Sequence, residues 1–435
     1  MISFSVLTLG CKVNSYESEA LINKLIDKGY ELKNFNEVCD IYIVNSCTVT
    51  STSDQKSRQM LHAARRRNSD AVVVVMGCYS QLNSIAASKD ADIVIGTNNK
   101  LDVVELIESY LNTKKQIIKL TDVLNNPTYE EMKVSTLNTH TRAFIKIQDG
   151  CENYCSYCAI PYSRGKIRSR KPDNVIDEIN NLVRQGTKEV ILAGINTGTY
   201  GKDLGNINLA LLIERIMNET KLYRLRLSSI ELMEITDELL DVLNKYSSRV
   251  ANHLHIPCQG GSQTVLERMN RKYTLVQYEN RIKNIRDIFP DIALTTDILA
   301  GFVGETIDEF NETLAFIKRM KFYEMHVFPY SRRSGTKADQ LDGHLSKKVI
   351  TLRAKQIGEL AKELKKDYIN NYINTSVFVL AETSKDKYWH GHTSNYLDVY
   401  FESNENLENK IIKVRITSYE NDKIYGEMEE IYEKV

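Results

Sequence analysis

The sequence predicts an α/β protein with three parts: an N-terminal doubly wound parallel sheet, a central partial (β/α) barrel and a small C-terminal β-barrel. Apolar runs of strand length alternate with stretches of helical period through the first two parts, which indicates parallel sheets. After about residue 369 the pattern changes to short strands in apolar/polar alternation, which is typical of a small all-β barrel. The chain has 435 residues, and at roughly 100–200 residues per domain we expect domains at 1–135, 136–368 and 369–435.

Three predicted strands of the N-terminal part each end at a cysteine. They are "ISFSVLTLGC", "CDIYIVNSC" and "AVVVVMGC", ending at Cys11, Cys47 and Cys78, with helical stretches such as "SYESEALINKLIDKG" between them. The carboxyl ends of strands in a doubly wound sheet share one crevice, so we expect the three thiols at one edge. Free cysteine is often buried in cores, but core packing gives no reason to repeat the same strand end three times. Cys39 starts its strand at the opposite edge, which indicates a structural role.

The central part opens with three closely spaced cysteines. Cys151, Cys155 and Cys158 follow the predicted strand "RAFIKIQDG" with the spacing C-x3-C-x2-C. Clustered thiols in a reducing compartment are more often metal ligands or redox groups than disulfides. Zinc sites usually have paired knuckles and four ligands, and the sequence has no second knuckle. Three thiolates could instead hold three irons of a cubane cluster and leave the fourth open; three incidental loop thiols are the alternative.

The rest of the central part repeats a strand-then-helix pattern. The predicted strands are "EVILAGINTGTYG", "YRLRLSSIE", "NHLHIPCQGG", "DIALTTDILAGFVGET" and "YEMHVFPYSRRSGT". The helical stretches among them are "VIDEINNLVRQG", "LALLIERIMNE", "TDELLDVLNKY", "LVQYENRIKNIRDIF" and "IDEFNETLAFIKRM". About six such units predict an open or partial barrel, with its chemistry at the carboxyl ends of the strands.

Charge and hydropathy exclude several classes of protein. Lys plus Arg and Asp plus Glu both number 57, so the formal net charge is zero and does not indicate a nucleic-acid binder. The N-terminus lacks the layout of a signal peptide, and no apolar run approaches the ~20 residues of a bilayer span. We therefore expect a soluble cytoplasmic protein with no membrane partner.

A basic row follows the cysteine loop. Arg164, Lys166, Arg168 and Arg170 are two positions apart in "SRGKIRSRK", and on an extended segment such side chains face one way. The row fits contacts to RNA phosphates. A solvated face, or arginines paired with nearby acids, would give the same sequence.

The cysteine spacing after the first strand of such a barrel resembles the radical S-adenosylmethionine (SAM) enzymes. The resemblance implies that Cys151, Cys155 and Cys158 bind a [4Fe-4S] cluster whose open iron is chelated by SAM. It also implies that Tyr157 lies near the SAM adenine. The remaining expected SAM contacts, each at a strand end where a turn residue would look alike, are Gly194, Asn196, Ser228 and Ser229.

The two cysteine triads together resemble the methylthiotransferases, a branch of that superfamily. The matching blocks are "TLGCKVNSYESE", "VNSCTVT", "GCYSQ", "IKIQDGCENYCSYCAIPYSRG", "RLRLSSIE" and "HVFPYSRRSGT". Two positions depart from the family pattern: Cys258 stands where an apolar residue is usual, and Val303 stands where proline is usual. Neither is a ligand position, and the Cys258 thiol is expected to fill an apolar slot.

This resemblance implies a reaction and its partners. Cys11, Cys47 and Cys78 would hold a second [4Fe-4S] cluster that supplies sulfur; one SAM methylates that sulfur and another gives a 5′-deoxyadenosyl radical. The residues around the cysteines are most similar to the branch acting on N6-threonylcarbamoyladenosine beside the tRNA anticodon. An electron donor and a sulfur source are also implied, without identities. Isopentenyladenosine in tRNA, a ribosomal-protein aspartate, or a non-enzymatic iron–sulfur or RNA-binding role are the alternatives.

The C-terminal part adds an expectation about RNA. Its predicted strands are "VFVLAET", "YLDVYFE", "IIKVRITSY" and "KIYGEMEEIY", and "GHTSNYLDVY" resembles the TRAM domain, an RNA-binding β-barrel. An unspecialised β module would show much the same alternation.

Overall fold

The computed structural model describes residues 1–125, 128–137 and 141–432, and it confirms the predicted fold class in all three parts. No helix in these ranges is both long and apolar enough to cross a bilayer. The N-terminal part is a six-stranded parallel sheet in the order β2-β1-β3-β4-β5-β6. Its strands are β1 (Ser3–Thr8), β2 (Glu31–Leu32), β3 (Ile41–Ser46), β4 (Val72–Gly77), β5 (Ile93–Ile95) and β6 (Ile117–Lys119).

Helices cover both faces of this sheet, as expected for parallel strands. They are α1 (Lys12–Asp27), α2 (Ser51–Arg67), α3 (Cys78–Leu82), α4 (Ser84–Ala87) and α5 (Val103–Thr113). Each face has its own apolar core, one around Leu21 and Ile107 and the other around Leu61 and Ala64. Strands β3 and β4 are buried along their whole length because they are covered on both sides.

The central part contains six parallel strands, as the sequence predicts, in two sheets ordered β11-β10-β7 and β12-β13-β14. Parallel bridges such as Ser229 to His255 join β11 to β12, so the two sheets form one partial barrel. Its strands, with a two-stranded ribbon of β8 and β9, are β7 (Ala143–Lys146), β8 (Gln148–Asp149), β9 (Arg168–Ser169), β10 (Glu189–Ala193), β11 (Arg224–Leu227), β12 (His253–His255), β13 (Ala293–Ala300) and β14 (Glu324–Pro329).

Helices surround the barrel on its outer side. They are α6 (Ile160–Arg164), α7 (Pro172–Arg184), α8 (Leu209–Glu219), α9 (Asp237–Lys245), α10 (Gln263–Arg268), α11 (Leu275–Ile288), α12 (Ile307–Met320) and α13 (Lys347–Asn370). Side chains alternate between the faces of a strand, and the apolar set, such as Leu225 and Leu227, joins the large core under these helices. The polar set, such as Arg224 and Arg226, therefore faces the barrel lumen.

The C-terminal part is a closed five-stranded barrel in the order β15-β16-β17-β19-β18. Its strands are β15 (Ser376–Lys385), β16 (Tyr388–Thr393), β17 (Asp398–Glu402), β18 (Ile411–Glu420) and β19 (Lys423–Ile431). The barrel is fixed to the central part: Arg226 donates to the carbonyls of Thr393 and Ser394 at 2.8 and 3.0 Å. These contacts close the amino-terminal side of the lumen.

Candidate cluster and cofactor site

The three N-terminal cysteines lie at the carboxyl edge of adjacent strands. Cys11 caps α1 just after β1, Cys47 directly follows β3, and Cys78 starts α3 directly after β4. Strands β1, β3 and β4 are neighbours in the sheet, and Cys47 interacts electrostatically with both of the other thiols. The predicted placement of the three thiols at one edge is therefore what the structure shows.

Glycines allow these strand ends to approach closely. Gly10, before Cys11, has φ +104°, and a Cβ there would lie 2.8 Å from Cys47 Sγ. Gly77, before Cys78, has φ +105°, and a Cβ there would lie 2.6 Å from the Ser46 carbonyl oxygen. A larger residue at either position would have both a strained backbone and a steric clash with the neighbouring strand end.

A buried arginine contacts one of these thiols. Arg164 ends α6, six residues after Cys158, and is fully buried. Its Nε donates to Cys78 Sγ at 3.3 Å, and its Nη1 donates to Glu17 Oε1 and Asp149 Oδ1, each at 3.0 Å. Helix α6, which follows the Cys151–Cys158 loop, therefore contacts the N-terminal cysteine group.

Arg164 belongs to a buried network with more cations than carboxylates. Glu17 also pairs with Lys100 Nζ at 2.6 Å and Lys146 Nζ at 2.8 Å. Burial alone would raise the pKa of Glu17, but Arg164, Lys100 and Lys146 outweigh it and hold the pKa well below its usual range. Two carboxylates, those of Glu17 and Asp149, are paired with four cations here. The surplus positive charge beside Cys78 suits a buried anion, such as a thiolate-ligated cluster.

The predicted basic row does not form a surface. Arg168 and Arg170 are buried like Arg164, with Arg168 Nη2 3.1 Å from Asp149 Oδ2 and Arg170 Nη1 2.6 Å from Glu178 Oε2. Lys166 is the exposed member. The expectation that the row contacts RNA phosphates is therefore wrong for the three arginines, which serve as counter-ions for buried carboxylates.

The second cysteine group lies on a tightly fixed loop. Gly150 has φ +78°, and a Cβ there would lie 1.9 Å from the Lys166 carbonyl oxygen, so only glycine fits. The loop is anchored where Cys151 N donates to the Gly165 carbonyl at 3.0 Å. Burial raises the pKa of the Cys151 thiol to about 11 and that of Cys158 to about 12. A metal ion bound by these sulfurs would favour their thiolate form, because a metal-bound thiol is deprotonated.

Two donors point at the sulfurs of this loop. Arg271 Nη1 donates to Cys155 Sγ at 3.3 Å, and the Ile160 amide donates to Cys158 Sγ at 3.5 Å. Arg271 is held in place by Glu231 Oε2, which accepts from Nη2 at 2.5 Å. Hydrogen bonds to ligating sulfur orient the ligand and tune the metal, so these residues fit a thiolate-bound cluster.

The predicted SAM contacts lie beside this loop. Asn196 is buried, and its Nδ2 has no hydrogen-bond partner among the described residues. The backbone N–H of Asn196 donates to Gln148 Oε1 at 3.0 Å, and the same Gln148 Oε1 would be 2.9 Å from a Cβ at Gly194. A buried amide donor without a partner, just after the carboxyl end of β10, fits the carboxylate of an amino acid such as SAM.

Two other predicted SAM contacts, Tyr157 and Ser228, lie in different environments. Tyr157 packs edge-on against Phe302 with ring centroids 6.2 Å apart, next to the cysteine loop. The Ser228 hydroxyl is buried and already bonded to Thr197 Oγ1 at 2.7 Å. Tyr157 therefore remains suited to an apolar ring contact, whereas Ser228 supports the strand end rather than offering a free donor; Ser229 lies beside it in the bridge to β12.

Cys39 and Cys258 lie away from both groups. Cys39 is buried before β3, at the amino edge of the sheet. Cys258 is fully buried in the central core and its Sγ donates to the Gly260 carbonyl at 2.9 Å. Both positions agree with the packing roles that the sequence predicts.

The barrel lumen carries charged residues that the sequence analysis did not identify. Glu189 pairs with Arg226 Nε at 2.8 Å and with Arg224, and Arg142 pairs with Glu382 at 3.1 Å. The metal-binding atoms of three further side chains lie within 4.8 Å of one another. They are His255, Asp297 and His326, and His255 Nε2 lies 3.3 Å from Asp297 Oδ2.

Lys12, the first residue of α1, is in electrostatic contact with this lumen. The four charged side chains that act on it most strongly are Arg226, Arg142, Glu189 and Asp297. Burial, followed by Arg226 and Arg142, lowers the pKa of Lys12 to about 8. The alternation of charged and apolar residues in "YRLRLS" and "NHLHIP" is the sequence signal that would have predicted this polar lumen.

Comparisons with known proteins agree with this architecture. The model of the radical SAM superfamily matches residues 145–317, and a family described as "Uncharacterized protein family UPF0004" matches residues 3–96. "Threonylcarbamoyladenosine tRNA methylthiotransferase MtaB" of Bacillus subtilis is 41% identical over 424 residues, covering 96% of this chain and 94% of the relative. The protein of that name from Thermotoga maritima is 37% identical, covering 94% and 93%.

A second type of relative is more distant. "tRNA-2-methylthio-N(6)-dimethylallyladenosine synthase" of Acetivibrio thermocellus is 32% identical over 424 residues, covering 94% of this chain and 88% of the relative. Among solved structures, the radical SAM methyltransferase TsrM of Kitasatospora setae is similar with a TM-score of 0.56 at 15% identity. That likeness covers 76% of this chain and 74% of TsrM, and it concerns the fold alone.

Proposed function

Because this chain belongs to the methylthiotransferase family of radical SAM proteins, we propose that it converts N6-threonylcarbamoyladenosine of tRNA to its 2-methylthio derivative. Four relatives named for threonylcarbamoyladenosine are 33–41% identical to it, and four named for dimethylallyladenosine are 30–32% identical. The difference supports the former substrate, which would lie beside the anticodon.

The superfamily uses SAM and a [4Fe-4S] cluster, and in this chain Cys151, Cys155 and Cys158 are the residues that would hold that cluster. We propose a second [4Fe-4S] cluster at Cys11, Cys47 and Cys78. The observation that supports it is the contact of Arg164 Nε with Cys78 Sγ at 3.3 Å, within a network rich in buried cations. When bound, these groups would supply a radical able to remove an aromatic hydrogen, and the sulfur and methyl group that replace it.

The protein's own residues would bind, orient and exclude water. Asn196 Nδ2, which is buried and has no hydrogen-bond partner in the described part of the chain, would donate to the polar end of SAM, with Tyr157 against its adenine. Arg271 would hold the sulfur of Cys155, and Arg164 would hold the sulfur of Cys78. The target base must leave the anticodon stack to enter the lumen, as in other enzymes that act on a base.

The C-terminal barrel offers aromatic rather than cationic RNA contacts. Residues 369–435 contain seven Lys or Arg and twelve Asp or Glu, so the net charge of this part does not favour phosphate binding. Its aromatic patch consists of Tyr388, His390, Tyr400 and Tyr425, with the His390 and Tyr400 rings stacked at 5.2 Å. We propose that this patch stacks unpaired tRNA bases.

The test is turnover on defined RNA. Protein reconstituted anaerobically with iron and sulfide would be given SAM, a one-electron reductant and tRNA carrying threonylcarbamoyladenosine or dimethylallyladenosine. Mass spectrometry of the nucleosides should show the methylthio product from the first tRNA. Product from the second alone would assign the chain to the other branch, and SAM cleavage without either product would point to another substrate, such as a ribosomal-protein aspartate.

A further inference from the structure

One ammonium group at the lumen has no ion-pair partner in the part of the chain that the structure describes. Lys12 is partly buried at the start of α1, yet no ion pair or hydrogen bond of its side chain is found among the described residues. Buried or enclosed cations are normally paired. An enclosed lysine without a partner at the entrance to a reaction chamber suggests that its partner arrives with a ligand.

Unlike Lys12, each of the neighbouring charged side chains already belongs to an ion pair. Arg226 is bound by Glu189 at 2.8 Å, Arg142 by Glu382 at 3.1 Å, and Asp297 faces His255 at 3.3 Å. The four groups that act most strongly on Lys12 are two guanidiniums and two carboxylates. The two guanidiniums act on Lys12 more strongly than the two carboxylates, so these neighbours do not compensate the charge of the Lys12 ammonium.

The position of Lys12 points to the substrate rather than to the scaffold. It directly follows Cys11 of the first cysteine group, and five residues later Glu17 pairs with Lys146 at the end of β7. The start of α1 therefore lies over the carboxyl ends of the barrel strands. A base entering the lumen between the two cysteine groups would bring its N6 substituent into this region.

The two candidate substituents differ in charge. A threonylcarbamoyl group ends in a carboxylate, whereas a dimethylallyl group is uncharged and apolar. We propose that the Lys12 ammonium binds the carboxylate of the threonylcarbamoyl group and is a determinant of substrate choice. This inference rests on the proposed function, since it names the contact by which that substrate is recognised.

A carboxylate is also present in SAM, and RNA carries anionic phosphates, so the experiment must separate three sources of negative charge. Holoenzyme with SAM but no reductant would be titrated with three anticodon stem-loop RNAs under anaerobic conditions. One carries threonylcarbamoyladenosine, the second its methyl ester, and the third unmodified adenosine. The variants are Lys12→Met, the charge-conserving Lys12→Arg, and Lys28→Met, which changes an exposed lysine near the other end of α1.

Wild type should bind the carboxylate RNA roughly 10- to 100-fold more tightly than the ester, the scale of a hydrogen bond to a charged group. Lys12→Met should lose that preference while its affinity for the other two RNAs stays unchanged. Lys12→Arg should keep most of the preference, and Lys28→Met all of it. Iron content and melting temperature serve as folding controls for each variant.

Several results would overturn the inference. These are a wild type that does not distinguish the carboxylate from its ester, a Lys12→Met variant that keeps the preference, equal weakening for all three RNAs, and weakened SAM binding in equilibrium dialysis. If Lys12→Met fails to fold, the wild-type comparison still tests the inference, because a wild type without the carboxylate preference overturns it. Failure of wild type to methylthiolate the carboxylate RNA would instead count against the proposed function, because the inference is measured as a binding preference.

Discussion

Arg164 Nε lies 3.3 Å from Cys78 Sγ, although 86 positions separate the two residues in the chain. Arg164 belongs to the short helix that follows the Cys151–Cys158 loop, and Cys78 begins the helix that follows β4. The contact thus fixes the distance between the two cysteine groups. It also places a buried guanidinium against a sulfur, where it would balance part of the negative charge of a thiolate-ligated cluster.

The first prediction concerns iron content and the division of labour between the cysteine groups. Reconstituted wild type should contain about eight irons, as two cubane clusters require. Cys155→Ala should lose about half of the iron and all SAM cleavage. Cys47→Ala should lose about half of the iron and the methylthiolated product, yet retain SAM cleavage to 5′-deoxyadenosine.

Cys39→Ala is the matched control, because Cys39 is buried at the opposite edge of the same sheet; it should retain all the iron. Zinc in place of iron, or full iron content in Cys47→Ala, would contradict a second cluster.

The second prediction separates buried arginines from surface cations. Arg170→Met would leave the buried carboxylate of Glu178 without its partner at 2.6 Å. Breaking such a pair costs about 3–5 kcal/mol of unfolding free energy, which urea unfolding can measure. The exposed Lys166→Met should change stability by no more than about 0.5 kcal/mol.

Filter binding with tRNA gives the complementary readout. Arg170→Met that still folds should bind tRNA with the wild-type salt dependence, because its guanidinium contacts no phosphate. If Arg170→Met instead reduced the slope of log affinity against log salt while its stability stayed unchanged, Arg170 would be a phosphate contact after all.

The third prediction is a pH dependence that arises in the lumen. Burial would raise the pKa of Glu189, but Arg224, Arg226 and Arg142 outweigh it and hold the pKa well below its ordinary value of 4.5. A carboxylate with a depressed folded-state pKa contributes stability that is complete above the unfolded-state pKa and is lost as pH falls below it. Stability should therefore decline as the pH is lowered through about 4.5 and beyond.

Glu189→Gln tests this assignment. The variant should be less stable than wild type near neutral pH, since three guanidiniums lose their counter-ion. The difference in melting temperature between the two proteins should narrow as pH falls below about 4.5. A difference that stays constant would show that Glu189 does not titrate in this range.

Much of the fold and part of the site follow from the sequence, for identifiable reasons. The strands ending at Cys11, Cys47 and Cys78 could be predicted because β-branched runs and the glycines before two of these cysteines mark strand ends. Long-range pairing could not: the partners of Arg164 and Arg170 come from elements far away in the chain. Basic residues spaced two positions apart are equally compatible with an exposed surface and with buried ion pairs. Only their burial in the structure distinguishes the two.

Other features went unpredicted because their signal is tertiary. Helix α13, a 24-residue element that precedes the C-terminal barrel, is not among the predicted helices. The role of Arg271 could not be predicted from its sequence position, because it depends on contacts with Cys155 and Glu231. The alternation of charged and apolar residues indicates a polar lumen. It does not indicate that Arg226 bonds to Thr393 of the C-terminal barrel, a contact that only the folded chain shows.

The last prediction concerns how the C-terminal barrel holds tRNA. Deleting the barrel would be a poor test, because Arg226 and Arg224 donate to carbonyls of its β16 region and would be left unpaired. A point change in the aromatic patch is cleaner. Tyr400 stacks with His390, lies 6.1 Å from Tyr425 between ring centroids, and supports the exposed Lys423 4.7 Å above its ring.

Tyr400→Ala should weaken tRNA binding roughly 10-fold, within the ~1–3 kcal/mol per base found for aromatic stacking. Phe378→Ala is the control, since Phe378 is 42% exposed on β15 and contacts Tyr432 outside the patch; it should bind tRNA normally. The slope of log affinity against log salt should stay unchanged in Tyr400→Ala, because no phosphate contact is removed. A flattened slope would indicate phosphate binding near Lys423, and unchanged affinity with a normal melting temperature would show that this face of the barrel does not hold the RNA.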